Sequence, residues 1–145
     1  MDENDEGTQF LNVDLDMFSQ VPLDPIVEAF GTKVFVLHVG KWGRRYSAHV
    51  ELSDSGTDKR ADRLVRRLVG LVKKLPRRAR SVWNEAESRE FNLGIEAAAR
   101  SRMFELRLEP ETLKAVASVG GRIVITVYAP ERLSPSLSSG VRRGK

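Results

Sequence analysis

Residues 57–83 read TDKRADRLVRRLVGLVKKLPRRARSVW, and they decide the fold because they combine a clear helical period with dense positive charge. Apolar side chains recur there at the i, i+3, i+4, i+7 spacing and so share one stripe of a helix. They are Ala61, Leu64, Val65, Leu68, Leu71, Val72 and Leu75. Thr57 or Asp58 can cap the start, and Pro76 ends or kinks the helix because its ring clashes with the preceding turn. The stripe is therefore committed to a core.

The opposite side of this predicted helix is basic. Ten Lys and Arg residues lie between positions 59 and 80, with Asp62 as the one acid among them. The whole chain of 145 residues has a net charge of only +4, so we expect a surface with two electrostatic poles. The basic side could bind nucleic-acid phosphates, contact an acidic protein or a membrane surface, or be a solvated helix face. The nucleic-acid alternative uses Arg63, Arg66, Arg67, Lys73, Lys74, Arg77 and Arg78.

The composition excludes several classes of protein. The chain has no cysteine, which removes disulfides, thiolate catalysis and cysteine-ligated metals and fits a reducing cytosol. No apolar run approaches the ~18 residues that span a bilayer, and the acidic start MDENDEG lacks a signal-peptide pattern. The GxxxxGK[ST], GxGxxG, HExxH and GxSxG signatures are also missing. We therefore expect a cytoplasmic protein with no transmembrane segment and no cofactor, and the sequence favours a non-enzymatic role.

The remaining pattern predicts a single domain over residues 8–130, between a disordered acidic tail at 1–7 and a flexible basic tail at 131–145. Period-2 alternation predicts strands, and Pro and Gly caps predict short helices. The predicted order is β-α-β-β-α-β-β-α-β. This order favours an α+β domain, with a mostly antiparallel sheet of about six strands and helices packed on one face.

Two hairpins contribute four of these predicted strands. A loop at residues 42–45 gives the first hairpin a register in which large apolar side chains share one face. Its predicted cross-strand pairs are Val39 with Ala48, Leu37 with Val50, Phe35 with Leu52 and His38 with His49. The second hairpin joins residues 91–97 to the alternating segment 104–108. Trp83 could be a core anchor or a binding hot spot, and we favour the core.

Three segments of the chain resemble a family of small uncharacterised bacterial proteins. They are FNLGIEAA at 91–98, FELRLEPETLKAVASVGG at 104–121 and IVITVYA at 123–129. The resemblance covers about residues 10–130 and implies a similar order of strands and helices, without an active site. Some members of the family are thought to act as immunity proteins against toxins, so the resemblance implies an immunity-like, protein-binding role. The central helix of this chain is more basic than the resemblance implies.

Strand alternation gathers acidic and amide side chains on the predicted open side of the sheet. They are Asn12, Asp14, Asp16, Glu51, Asn92, Glu96 and Glu105. Converging carboxylates could hold magnesium or act as an acid/base pair, could bind a protein, or could simply be the solvated side of a sheet. His38 and His49 could bind a metal together with Glu51, although a pair of ordinary surface histidines is the interpretation we favour.

We predict a protein-binding module with no catalytic residues and no resident metal. Its partner-binding residues are Trp42, Arg44, Arg45, Asp14, Asp16 and Glu51. A tryptophan near a hairpin turn is a common anchor for a protein partner, and the carboxylates add charge recognition. The first alternative is nucleic-acid binding through the basic helix. A small metal-dependent enzyme on the acidic side of the sheet ranks third.

Overall fold

The computed structural model describes residues 7–58 and 60–130, so residues 1–6 and 131–145 of the predicted tails lie outside the described residues. The described part folds as five strands and four α-helices, which confirms the α+β class. The strands are β1 Gln9–Ser19, β2 Val34–Trp42, β3 Arg45–Leu52, β4 Ser88–Glu96 and β5 Arg122–Tyr128. The helices are α1 Asp24–Phe30, α2 Ala61–Lys73, α3 Arg77–Glu85 and α4 Pro110–Ser118.

The strands form one sheet in the order β2-β3-β1-β4-β5, antiparallel except for the parallel pair β4–β5. The central strand β1 alternates from Val13 to Met17: Val13, Leu15 and Met17 are buried under the helices. Asp14 and Asp16 point to the other side. The helix side is hereafter the covered face, and the other side is the open face. This division follows directly from the period-2 pattern of the sequence.

The prediction of about six strands is wrong, because residues 97–109 form no strand. Leu106 and Leu108 do pack against the core. The amide of Glu109 donates to Asp62 Oδ1 at 2.8 Å, which ties this segment to α2 on the covered side. The alternation of residues 104–108 therefore reflected burial rather than strand pairing. The chain returns through α4, so β5 lies parallel to β4, and the order becomes β-α-β-β-α-α-β-α-β.

A β-bulge corrects the predicted register of the first hairpin. Near the turn the predicted pairs are confirmed: Val39 with Ala48 and His38 with His49. The register shifts between Val36 and His38, so that the observed pairs become Val36 with Val50, Phe35 with Glu51 and Val34 with Leu52. The pairing of Leu37 with Val50 and of Phe35 with Leu52 is wrong because the bulge adds one unpaired residue, Leu37, to β2. Val34 is buried as a result, and Phe35 is exposed.

The covered face is closed by α2 and α3, as the apolar stripe predicted. All of the predicted stripe is buried except Leu71, which is partly buried against the core. The helix begins at Ala61 rather than at Thr57 or Asp58; Asp58 Oδ1 instead accepts from the Arg60 amide at 3.0 Å, just before the first turn. Among the described residues, no helix is long and apolar enough to cross a membrane.

Trp83 and Arg89 tie the helices to the sheet. Trp83 is 1% exposed, and its indole N–H donates to the Val119 carbonyl at 2.8 Å, so it is a core anchor. The Arg89 guanidinium donates to the carbonyls of Trp83 and Ala86, both at 2.9 Å, and of Gly120 at 2.8 Å. These carbonyls lie where α3 and α4 end, so one arginine bonds to two helix ends. The Trp83 carbonyl also accepts from the Ala86 amide at 3.2 Å.

Candidate functional site

The open face carries three carboxylates at neighbouring positions of its central strands. Asp14 lies directly opposite Glu51, and Asp16 is two residues further along the same strand. Directly opposed side chains in an antiparallel pair have Cβ atoms about 5 Å apart, and side chains two residues apart share a face. The sheet therefore brings together three of the predicted partner-binding residues. Asp14, Asp16 and Glu51 are hereafter the acidic cluster.

A series of hydrogen bonds holds Asp16 of the acidic cluster in place. Asp16 Oδ1 lies 2.8 Å from His49 Nδ1, and Asp16 Oδ2 accepts from the Asn92 amide at 3.2 Å. Asn92 Oδ1 in turn accepts from the Thr126 hydroxyl at 2.8 Å. An ionised carboxylate only accepts, so this geometry places a proton on His49 Nδ1. These hydrogen bonds connect β3, β1, β4 and β5 and fix the position of Asp16, which is only 8% exposed.

The surroundings of Asp14 change its proton affinity. Burial raises the pKa of Asp14 to about 6, and the negative charges of Asp16 and Glu51 add to the effect. The nearby His49 opposes it. A carboxyl with a raised pKa is less stable in its charged form inside the fold than in the unfolded chain. At neutral pH the ionised Asp14 therefore lowers the stability of the protein, and a positive charge placed above it would offset that loss.

Aromatic rings continue the open face from the acidic cluster to the edge of the sheet. The ring centroids of Trp42 and Phe18 are 5.3 Å apart, those of Phe18 and His49 are 5.6 Å apart, and those of His49 and His38 are 5.8 Å apart. Separations of this size are typical of aromatic pairs that pack in offset or edge-to-face arrangements. These four residues are hereafter the aromatic strip. His49 belongs to the strip and also bonds to the acidic cluster, so the two form one continuous surface.

The hairpin turn presents Trp42 to solvent. Gly43 has φ +65°, which suits a two-residue turn at Gly43 and Arg44, and Trp42 pairs with Arg45 as the last residue of β2. Trp42 is 61% exposed although it packs on Phe18. Arg45 makes an ion pair with Glu87 at 3.0 Å, whereas Arg44 occupies the turn itself. Trp42 and Arg45 therefore lie on the same face as the carboxylates, with Arg44 beyond the end of the strands.

The metal alternative has no assembled ligand set in the described residues, where no group of three or more His, Cys, Asp or Glu side chains could hold a metal ion. His38 and His49 do adjoin, but His49 Nδ1 is engaged by Asp16. Glu96 lies at the far end of β4, where Gln9 donates to it at 3.0 Å. Placing Glu105 on the open face was wrong, because residues 97–109 leave the sheet and Glu105 contacts Arg107 at 3.1 Å.

Phe18 and the contact between Asp16 and His49 are the functional features that sequence reasoning missed. Strand β1 runs on to Ser19, so Phe18 takes the position after Asp16 on the open face. A lone aromatic residue on the polar side of a strand was the available signal. The contact with His49 depends on which strands are neighbours, and β1 and β3 are far apart in the sequence.

The basic side of α2 and α3, hereafter the basic ridge, is divided into two parts. Its first part forms ion pairs: Arg63 with Asp58 at 3.6 Å, Arg66 with Asp62 at 3.7 Å and Arg67 with Asp54 at 2.6 Å. The second part surrounds the break at Pro76 and contains exposed side chains with no ion pair to any described residue. These are Lys73, Lys74, Arg77 and Arg78.

No family model, curated protein or solved structure matches this chain. The resemblance to small bacterial proteins therefore stays a prediction.

Proposed function

We propose that the protein is a binding module that holds a basic polypeptide segment on the open face of its sheet. The observation that supports this most is the continuity of the aromatic strip with the acidic cluster, through His49. A partner could place an apolar or planar side chain on the strip and a positive charge above the carboxylates. An immunity-like role, in which the partner is a toxin with a basic surface, is one form of this function.

The chemistry of the face favours arginine in the partner. One guanidinium of the partner can stack on the exposed face of Trp42. A second, further along the hairpin, can form paired hydrogen bonds with a carboxylate such as Glu51. Tryptophan is a frequent binding hot spot when a partner buries it. Asp14, whose pKa is raised to about 6, would become a more stable anion beside a cation, so binding should strengthen from pH 5 to pH 7.5.

Two synthetic peptides of equal length test this proposal, one alternating Arg with Trp and the other alternating Glu with Trp. The isotope-labelled protein is titrated with each while backbone amide shifts are recorded. The basic peptide should shift amides of β1 and β3, and its dissociation constant should rise at least about tenfold in Glu51→Gln and in Trp42→Ala. The acidic peptide should shift neither strand.

Glu111→Gln is the matched control, because it removes one carboxylate from the exposed first turn of α4, away from the open face. Its affinity for the basic peptide should equal that of the wild type. The proposal is overturned if the shifts map to α2 and α3 instead, or if Glu51→Gln and Glu111→Gln weaken binding equally.

Nucleic-acid binding by the basic ridge is the second candidate, and a groove favours it. A cavity of about 400 Å³ between β3 and α2 is lined by Lys33, Lys74 and the ion pair of Arg67 with Asp54. Gly70 also lines it, and its missing side chain leaves open space. The unpaired part of the basic ridge meets this cavity at Lys74. Positive groups around such a groove could contact phosphates without a base-reading motif.

Fluorescence anisotropy with a labelled DNA duplex and a labelled single strand tests this second candidate. Binding should weaken steeply as salt rises from 50 to 200 mM, and the double variant Lys73→Ala/Lys74→Ala should weaken it further. Lys114→Ala on α4 is the control for loss of a single surface charge and should have little effect. Absence of binding at 50 mM salt would remove this candidate.

A further inference from the structure

The two edge strands of the sheet, β2 and β5, differ in how well they are protected from pairing with a further strand. β2 carries the bulge at Leu37, and Gly40 in the same strand has φ +149°. Bulges of this kind prevent another strand from pairing along a sheet edge. β5 reads RIVITVY and contains no Gly, Pro or Lys, and its ladder with β4 runs without a register shift. It is therefore a regular edge that lacks these protective features.

The direction of the unpaired backbone groups of β5 follows from one hydrogen bond. The Tyr128 carbonyl accepts from the Ala97 amide at 2.9 Å, on the side of β4. Successive residues of a strand direct their N–H and C=O groups to opposite sides, so Ile123, Ile125 and Val127 direct theirs away from β4. Within residues 7–58 and 60–130, no backbone hydrogen bond outside the regular elements engages these three residues.

The side chains along this edge are apolar and exposed. Ile125 is 57% exposed and Val127 is 59% exposed, although both lie on the covered face, where Ile123 packs against the core. Such a strip is unusual at the edge of a sheet whose other apolar side chains on that face are mostly buried. The edge thus offers both free ladder groups and apolar surface to a further strand.

We propose that β5 pairs antiparallel with β5 of a second copy of this chain, about a two-fold axis at Ile125. This register pairs the whole strand, and its cross-strand pairs are Ile125 with itself, Ile123 with Val127, Val124 with Thr126 and Arg122 with Tyr128. The residues with outward-directed backbone groups then face each other and exchange N–H···O bonds. Their side chains form β-branched apolar pairs on one face, which are favourable across antiparallel strands.

The strand is complementary to itself in charge as well as in shape. Arg122 is its only charged residue, and the two-fold axis places it opposite the neutral Tyr128 rather than opposite the Arg122 of the second copy. Like charges directly opposite each other would oppose pairing, whereas an arginine beside an aromatic ring is favourable. The dimer joins two sheets edge to edge and sets their open faces side by side. It does not depend on whether those faces bind a polypeptide.

The first test measures the mass of the full-length chain by sedimentation over a range of concentrations. The wild type should change from monomer to dimer as concentration rises. Ile125→Lys places a charge at the centre of the predicted interface and should raise the dissociation constant at least tenfold. Leu37→Lys is the matched control: it makes the same kind of change at an exposed apolar position of the other edge, and it should leave the dimer intact.

The second test measures the register and uses the absence of native cysteine. Opposed residues in a hydrogen-bonded antiparallel pair have Cα atoms about 5.5 Å apart, which a disulfide can bridge. Ile125→Cys should therefore form a covalent dimer under mild oxidation. Val127→Cys should do so poorly, because four residues along an antiparallel strand separate the two introduced cysteines by about 14 Å. Cross-linking of both variants at the same rate overturns the proposed register.

If something other than a second β5 covers the edge of β5, the sedimentation and exchange measurements give different results. A monomer at every concentration, with slow hydrogen exchange at the amides of Ile123, Ile125 and Val127, would show that another part of the same chain covers β5, and would overturn the proposal. A dimer that Leu37→Lys disrupts and Ile125→Lys spares would place the interface at β2, and would overturn it as well.

Discussion

The two faces of β1 carry opposite kinds of chemistry on a single strand. Val13, Leu15 and Met17 on the covered face are almost completely buried under the helices. On the open face Asp14 and Asp16 lie beside Glu51, and burial together with like charge raises the pKa of Asp14. Packing explains the side chains that β1 places on the covered face. It does not explain why like charges adjoin on the open face, where a solvated sheet would be more stable with alternating charges.

This difference is what points to a function. Side chains that lower the stability of the fold are common at functional sites. Binding sites therefore often carry charges that no neighbouring group compensates well. The covered face should therefore respond to substitutions as a packed core does, and the open face should tolerate them or even gain stability. Pairs of similar substitutions, one on each side, test that contrast.

The tryptophans should give the largest difference. Trp83→Ala removes a buried ring and its hydrogen bond to Val119, and should lower the free energy of unfolding by about 3–5 kcal/mol. Trp42→Ala removes an exposed ring and should lower it by less than about 1 kcal/mol. Urea denaturation followed by circular dichroism measures both. Equal losses would show that the two faces contribute alike to stability.

The arginines should give the next largest difference. Arg89→Ala leaves helix-end carbonyls of α3 and α4 without their charged donor, and should lower the free energy of unfolding by about 1–3 kcal/mol. Arg45→Ala breaks an exposed ion pair with Glu87 and should change it by less than about 1 kcal/mol. Thermal unfolding at matched pH distinguishes the two, and a stable Arg89→Ala protein would refute the helix-end role.

Two glycines differ in the space around them: Gly121 is crowded by neighbouring side chains, whereas Gly70 is not. A methyl group on Gly121 would lie 2.6 Å from Phe91 Cε2, so Gly121→Ala should lower the free energy of unfolding by about 1–3 kcal/mol. A methyl group on Gly70 would meet nothing within 4 Å, and Gly70→Ala in the middle of α2 should raise it by about 0.5–1 kcal/mol. Denaturant midpoints of the two variants should therefore move in opposite directions.

Local patterns in the sequence predicted the parts of the fold that depend on neighbouring residues. The apolar stripe of α2, the alternation of β1 and the break at Pro76 each follow from side-chain spacing within one element. The acidic cluster also followed from alternation, because its aspartates lie on one strand. The helix-covered and open faces could be assigned before the strand order was known.

Features that depend on distant parts of the chain could not be predicted. The parallel pairing of β4 with β5 requires knowing that residues 97–109 cross the helix layer, which the Glu109 contact with Asp62 reveals. The bulge at Leu37 depends on how β2 packs against the core. Local alternation predicted that Phe35 lies on the apolar face with Leu52, whereas it pairs with Glu51 on the open face. The aromatic strip joins residues from three strands, so only the fold brings it together.

The pH dependence of unfolding in Asp14→Asn tests most directly whether the open face lowers stability. The folded-state pKa of Asp14 is raised from 3.8 to about 6, so the wild type loses stability as pH rises through that interval. Asp14→Asn does not titrate there. It should therefore become more stable than the wild type by about 1 kcal/mol above pH 6.5, discounted because the carboxyl is partly exposed. The difference between the two proteins should grow from pH 4 to pH 6. An Asp14→Asn protein that is less stable than the wild type at pH 7.5 would contradict the division between the two faces.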